Sequence, residues 1–523
     1  MHDFEWIIGL LLGSVALSAL ARRLSVPYPV FLALGGAALA FVPGGPSWTL
    51  EPDLALALFV APVLLDAAFD TSLRDLRDNW LSVSTLVFVA VVLTTAAVAT
   101  VAHWLVPAMP WGAAIALGAI VAPPDAAAAT AILRQVNLPH RLLKILEGES
   151  LLNDVSALLI YRAAVGAVVL DQVHARDFAP YIALALAGSL IAGYAFARLS
   201  MMVTKHVTDA PSAIILQFAG TFTVWIAAER LGLSGILTIV VYAITLARTV
   251  PAQTSARMRV PSYAVWDTMV FLLNVVAFVL IGMQMRPIWE RLADPMRLHY
   301  SLVAGAVLLT VILTRIIWVM SYNAALRYAV AKRGGVRRRD LSPPTVQGGI
   351  VVSWCGMRGI VTLAAAFALP DGSAGGAVFP FRDLILLTAF SVVLGSLLIQ
   401  GLTLRPLISR MKFDAADPVG REVGRARTAA YRAALAEIDG DPSETAEVLR
   451  LEYTALLAAA GDSPDGETPR ELPADPLRRR AIAAARAALN ALRASGEIGD
   501  DAFHRLEEEF DWAELSAGSP DGR

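Results

Sequence analysis

Between Leu146 and Asp154 an apolar stretch is broken by Glu147, Glu149, Ser150, Asn153 and Asp154, a set of oxygen-bearing side chains within nine residues. At 100° per residue, Glu149, Asn153, Ser150 and Asp154 fall within about 140° of one another, so a helix presents them as one polar face. A further carboxylate, Asp125, follows two prolines at Val121–Asp125. Paired carboxylates with hydroxyl, amide and backbone oxygens suit a hard monovalent or divalent cation, and the same carboxylates also bind a proton. A carboxylate that crosses a membrane only when it carries one or the other makes an obligate exchanger.

That chemistry requires a membrane, and the composition supplies one. Of 523 residues, 56% are hydrophobic and 17% charged, against about 25% charged in soluble domains. Mean hydropathy is +0.59. Such a chain is neither a soluble enzyme, nor a disordered regulator, nor a nucleic-acid binder with a basic surface. The single cysteine, Cys355, excludes an internal disulfide or a cysteine-based zinc site, and the seven histidines show no metal-ligand spacing. No GxxxxGK[ST], G-x-S-x-G or HExxH motif is present, so no enzyme activity and no cofactor are expected. The net charge of −2 divides unevenly: Met411–Arg523 holds 14 Lys/Arg against 23 Asp/Glu, a balance of −9, which leaves about +7 for residues 1–410. The expected domains are therefore a transmembrane part, 1–410, and an acidic helical tail, 411–523.

A helix needs about 20 apolar residues to cross a bilayer. Thirteen segments qualify, from Phe4–Leu20 to Leu384–Ile408, although the ninth, Ser234–Leu246, is short and twelve is an alternative count. Basic residues concentrate on alternate connections: Arg22/Arg23, Arg74/Arg77, Arg134/Arg141/Lys144, Lys205, Arg248/Arg257/Arg259 and the cluster Lys332–Arg339. By the positive-inside rule these connections and the tail face the cytoplasm, with the N-terminus outside. Taking the seventh segment as a linker leaves two six-helix halves of opposite orientation. The fifth member of each is interrupted, at Val121–Asp125 and at Trp354–Gly359. Paired interruptions in inverted halves point to a midplane binding site of a secondary transporter. The fold class is an all-α polytopic membrane protein of about 13 transmembrane helices, arranged as two inverted six-helix repeats with two interrupted helices and a helical cytoplasmic tail.

Asp154 lies about ten residues into its segment, roughly 15 Å along the axis and near mid-bilayer. Arg358, in the second interruption, is a buried cation that needs an anion, and Glu149 is the expected partner in a structural ion pair. Arg315 has no partner evident in the sequence, and Arg162 can snorkel toward the outer surface. Asp66, four residues after Pro62, reads equally as a further oxygen ligand, a helix-end group or a gate.

Three motifs carry a family resemblance: Ala122–Thr130 (APPDAAAAT), Leu146–Asp154 (LEGESLLND) and Trp354–Leu363 (WCGMRGIVTL), with Leu273–Gly282 (LNVVAFVLIG) as a further segment. Together they resemble the monovalent cation:proton antiporters of the bacterial sodium/proton exchanger type, and the resemblance spans the membrane part. It implies that Asp154 is the ion-binding aspartate, that Asn153, Ser150 and Asp125 shape its site, and that Glu149 and Arg358 form the family's ion pair. It also implies a role at the ion site for Asp66. Pro124 stands where many members carry a threonine, which removes a hydroxyl ligand. An Asn-Asp pair implies electroneutral one-for-one exchange, and members are typically homodimers with a moving core.

The expected activity is exchange of Na+ or K+ for H+ in the inner (cytoplasmic) membrane, serving pH homeostasis, with a monovalent cation at Asp125 and Asp154. The expected partners are these ions, membrane lipid and a second copy of the chain, with no nucleic acid; nothing in the sequence names a partner for the tail. A cation or proton channel, or a membrane-embedded sensor signalling through the tail, are the alternatives.

Overall fold

A computed structural model describes residues 2–24, 26–43, 52–125, 133, 138–169, 175–292, 294–332, 344–371, 378–411, 413, 418–461, 475–495 and 500–516. These residues form helices, with no strand among them. The chain divides into two compact units, Met1–Phe413 and Asp414–Arg523.

In the first unit the helices are α1 (His2–Leu24), α2 (Tyr28–Ala40), α3 (Leu56–Phe69), α4 (Trp80–Leu105), α5 (Trp111–Val121), α6 (His140–Val169) and α7 (Ala175–Thr204). They continue as α8 (Ala210–Arg230), α9 (Gly235–Gln253), α10 (Ala256–Met283), α11 (Asp294–Lys332), α12 (Val346–Trp354), α13 (Ile360–Phe367) and α14 (Arg382–Ser409). Among the described residues, eight helices are long and apolar enough to cross a membrane, and α2, α3, α5 and part of α9 are shorter apolar helices. The basic cluster at 333–339, Arg134, and the continuation of the fifth predicted segment through 126–132 lie outside the described residues.

Lipid offers no hydrophobic drive for helix association, so close approach through small residues takes its place. The α2–α10 crossing shows how. A Cβ on Gly282 would overlap the Ala33 carbonyl, and one on Gly36 would overlap that of Val279. α5 meets α4 in the same way: a Cβ on Gly118 would come within 2.5 Å of the Thr95 carbonyl oxygen. The alanine-rich α5 and the apolar α14 are thereby enclosed in a core shared with α4, α10 and α11. A second cluster joins α3, the Leu151/Val155 side of α6, α8 and α9. α6 reaches both clusters, so its polar residues sit where they meet.

Helix irregularities mark the same region. α3 widens to a π-helix at Leu56–Val60, where Pro62 cannot donate to the Leu58 carbonyl. α4 widens at Thr85–Ala90, and the Val87 carbonyl in that turn accepts from Ser156 of α6 at 2.6 Å. α14 widens at Leu397–Gly401.

The second unit comprises α15 (Pro418–Ile438), α16 (Glu444–Gly461), α17 (Asp475–Ser495) and α18 (Asp500–Ser516). α15 pairs with α16, bringing Tyr431 against Tyr453, and α17 pairs with α18. Arg486 of α17 forms ion pairs with Asp511 and Glu514.

Candidate functional site

α5 ends at Val121 because Pro123 and Pro124 cannot continue it, and the chain bends through to Asp125 without helical structure. α12 ends at Trp354; Cys355–Gly359 is non-helical, turning tightly at Cys355, and α13 restarts at Ile360. The two non-helical segments touch: the Asp125 amide donates to the Met357 carbonyl at 2.7 Å. The Asp125 carboxylate lies directly on Gly359, so close that a Cβ there would overlap it. Gly359 opens α13, whose first-turn N–H groups place positive partial charge near that carboxylate.

Interrupted helices leave carbonyls that lipid cannot satisfy, and here two arginine side chains reach them. Arg358 donates to the Val121 and Ala122 carbonyls at 3.0 and 3.1 Å and to that of Gly356, so the second break caps the end of α5. Its own backbone N–H donates to Ser396 Oγ of α14 at 3.0 Å. Arg315, from mid-α11, donates to the Val352 carbonyl at 3.0 Å and the Cys355 carbonyl at 3.3 Å, capping the end of α12. The two ends of interrupted helix are therefore each closed by an arginine, set against the negative end of a helix dipole.

This arrangement corrects the expected ion pair. Glu149 does not pair with Arg358. Its carboxylate is held by Arg315 in a bidentate bridge, Nη1–Oε1 at 2.5 Å and Nη2–Oε2 at 2.9 Å, with both side chains almost fully buried. The physical reason is that Arg358 already spends its guanidinium on carbonyls, whereas the rigid fork of Arg315 fits carboxylate and carbonyls at once. Arg162 is paired too, with Glu229 at 2.8 Å.

Asp154 is 8% exposed, on the α6 face turned to the break, with the Asp125 carboxylate as a like-charged neighbour. Next to it in the chain, Asn153 Nδ2 donates to the Pro124 carbonyl at 2.7 Å, while its buried Oδ1 has no hydrogen-bond partner among the described residues. Pro124 thus provides an anchor for Asn153 through its backbone carbonyl. Ser150 is half-buried on the same helix. Asp66 is half-buried on α3, which packs on the Leu151/Val155 side of α6. The structure thus brings Asp125, Asn153, Asp154, Glu149 and Arg358 around one crossing. It adds residues that sequence reasoning missed: Ser396, Ser156 and the role of Arg315. A serine in an apolar helix was the only signal for the first two.

Among the described residues, no group of three or more His, Cys, Asp or Glu could hold a metal ion. Two carboxylates, an amide oxygen and a hydroxyl are hard ligands of low total charge, matched to a cation taken up and released rather than retained. Residues 8–410 match the family model described as sodium/hydrogen exchanger, transmembrane. The chain belongs to that family.

Other members resemble this exchanger over most of its length. It is 30% identical over 421 residues to a sodium, potassium, lithium and rubidium/H(+) antiporter of Bacillus pumilus, a match covering 77% of this chain and 61% of that protein. It is 31% identical to a Na(+)/H(+) exchanger of Mycobacterium tuberculosis, over 98% of this chain and 96% of the other. The sodium proton antiporter MjNhaP1 of Methanocaldococcus jannaschii shares the fold, with a TM-score of 0.58 at 17% identity over 78% of this chain and 99% of that one. The exchanger is accordingly a multi-pass membrane protein of that fold.

Proposed function

We propose that this chain exchanges Na+ or K+ for H+ across the membrane it spans, as a secondary transporter and not an enzyme. The observation that carries the reading is the pair of carboxylates, Asp125 and Asp154, at the crossing of two interrupted helices in a member of the sodium/hydrogen exchanger family. The activities for which relatives are named, among them the Bacillus pumilus antiporter, agree with it. Asp154 is the shared carboxylate that holds either the cation or the proton, so loading one displaces the other. Asp125, Asn153 Oδ1 and Ser150 supply further oxygens, and Asp66 serves at the edge of the site. Glu149, Arg315 and Arg358 hold the crossing rigid and carry no ion.

Transport proceeds by alternating access: one site opens to each side in turn and crosses only when loaded. Exchange is one-for-one and electroneutral. The chain works as a homodimer in the inner membrane, N-terminus outside, with two inverted six-helix halves joined by α7. Residues 1–410 carry out transport, and residues 411–523 form a cytoplasmic tail.

The test is a proteoliposome carrying a pH dye. Adding Na+ or K+ to the wild type dissipates an imposed proton gradient, and Asp154→Asn abolishes the response. An Asp154→Asn protein that still exchanges refutes the assignment of Asp154. Unitary currents in a planar bilayer, without strict counter-transport, identify a channel instead.

A further inference from the structure

Two peptide groups where the breaks cross are hydrogen-bonded at both ends. In the Pro124–Asp125 peptide, the carbonyl accepts from Asn153 Nδ2 at 2.7 Å and the amide donates to the Met357 carbonyl at 2.7 Å. In the Met357–Arg358 peptide, that same carbonyl accepts from Asp125, and the amide donates to Ser396 Oγ at 3.0 Å. The Ser396 hydroxyl donates in turn to the Val393 carbonyl at 3.1 Å. C=O and N–H point opposite ways across a trans peptide, so the four bonds run head to tail. They lead from α6 through both breaks and into α14.

Asn153 and Ser396, the side chains at its two ends, are both 0% exposed, so water does not compete for these bonds. In such surroundings bonds in series polarise one another, and the loss of one weakens the rest. The donor end faces the ion site. A carbonyl can only accept, so that of Pro124 draws the NH2 of Asn153 and settles which way the amide is turned. The amide oxygen, buried and without a hydrogen-bond partner among the described residues, is thereby turned away from Pro124, beside Asp154 in the chain.

The far end is Ser396. A serine in an apolar helix commonly closes onto its own helix, and Ser396 does so through Val393. Its second bond is of another kind, because it accepts an N–H from a different segment of the chain. Alanine there would leave the buried Arg358 N–H without an acceptor and the Met357–Arg358 peptide free to tilt, and the carbonyl that holds Asp125 would tilt with it. Resting on the exchange reading above, we propose that Ser396 is a positioning residue for cation binding. It does not touch the ion. It fixes the peptide that holds the Asp125 backbone, and through that peptide the amide oxygen that Asn153 offers the cation. Ligands already held in place bind without first being ordered, so loosening them costs affinity.

The experiment compares the full-length wild type with Ser396→Ala and Ser396→Cys in proteoliposomes, reading proton flux against Na+ or K+ concentration at neutral and at alkaline pH. Ser396→Ala raises the half-saturating cation concentration about tenfold, the factor one buried hydrogen bond corresponds to. Maximal flux stays within about twofold, because what is lost is the geometry of binding. The tenfold ratio is the same at both pH values, since a cation ligand is disturbed and proton binding is not. Sulfur is a weak acceptor, so Ser396→Cys gives a smaller rise, about threefold. An unchanged half-saturating concentration overturns the proposal, as does a loss confined to maximal flux. A ratio that falls toward one at alkaline pH also overturns it, because the serine then acts on protonation of the carboxylates. If the alanine variant does not fold, the cysteine variant decides: a threefold rise sustains the proposal and a wild-type curve overturns it. Failure of both to fold makes the hydroxyl a requirement of assembly, and the positioning role falls. A wild type without cation-driven flux is a distinct outcome that sinks the exchange reading and this proposal with it.

Discussion

Glu149 illustrates how much a single residue's neighbours matter. Its presence in an apolar segment signals a buried charge with a partner, and two mid-segment arginines, Arg315 and Arg358, are available. The partner is 166 positions away, and only the rotation and crossing of α6, α11 and α12 select Arg315. Removing that partner strands a carboxylate in the core. Arg315→Met should therefore cost about 3–5 kcal/mol of stability, read as a fall in melting temperature. Replacing both members, Glu149→Leu with Arg315→Met, should recover part of that loss, and equal melting of the single and double variants would contradict it. Gly359 is a second such case. Any side chain there collides with the Asp125 carboxylate, so Gly359→Ala should raise the half-saturating cation concentration or abolish exchange, measured as dye-reported flux. The candidate carboxylates were readable one by one from the sequence, but the glycine that gives Asp125 its room was not. It matters only because another segment crosses it.

At the scale of the helix, both interruptions were legible because consecutive prolines remove backbone donors at one and closely spaced glycines weaken the helix at the other. What closes them was not, since Arg358 caps the end of α5 from more than 230 residues away. The glycines of the α2–α10 crossing make a further prediction. Gly282→Leu must drive a side chain into the Ala33 carbonyl and separate the two helices, at a cost of about 1–3 kcal/mol or more. Gly13→Ala on α1, with nothing within 4 Å of the added carbon, should melt like the wild type. Thermal unfolding of the two purified variants checks the contrast, and similar losses at both would mean the crossing is not held by close approach. Composition alone does not separate these glycines, because each sits in an apolar run.

For the molecule as a whole, the charge divides unevenly between residues 1–410 and 411–523, and the two compact units divide at Phe413 and Asp414. If transport resides in the first unit, a chain ending at Phe413 should keep cation-driven proton flux, with any change confined to its regulation. Loss of all flux from a folded truncated protein would give the tail a direct part in transport. The sequence by itself determined the material of this protein and its chemistry: apolar segments long enough to cross a bilayer, two places where helix must stop, and a few carboxylates whose presence in lipid demands a reason. Those features are local, because hydropathy, backbone restriction and charge are properties of a residue and its neighbours in the chain. The tertiary structure alone decided which arginine meets Glu149, which carbonyls each arginine caps and where Asp125 rests. Each of these depends on the angle and rotation at which distant helices cross, and a hydrogen bond a few ångströms long is made or lost by displacements that leave every local signal unchanged.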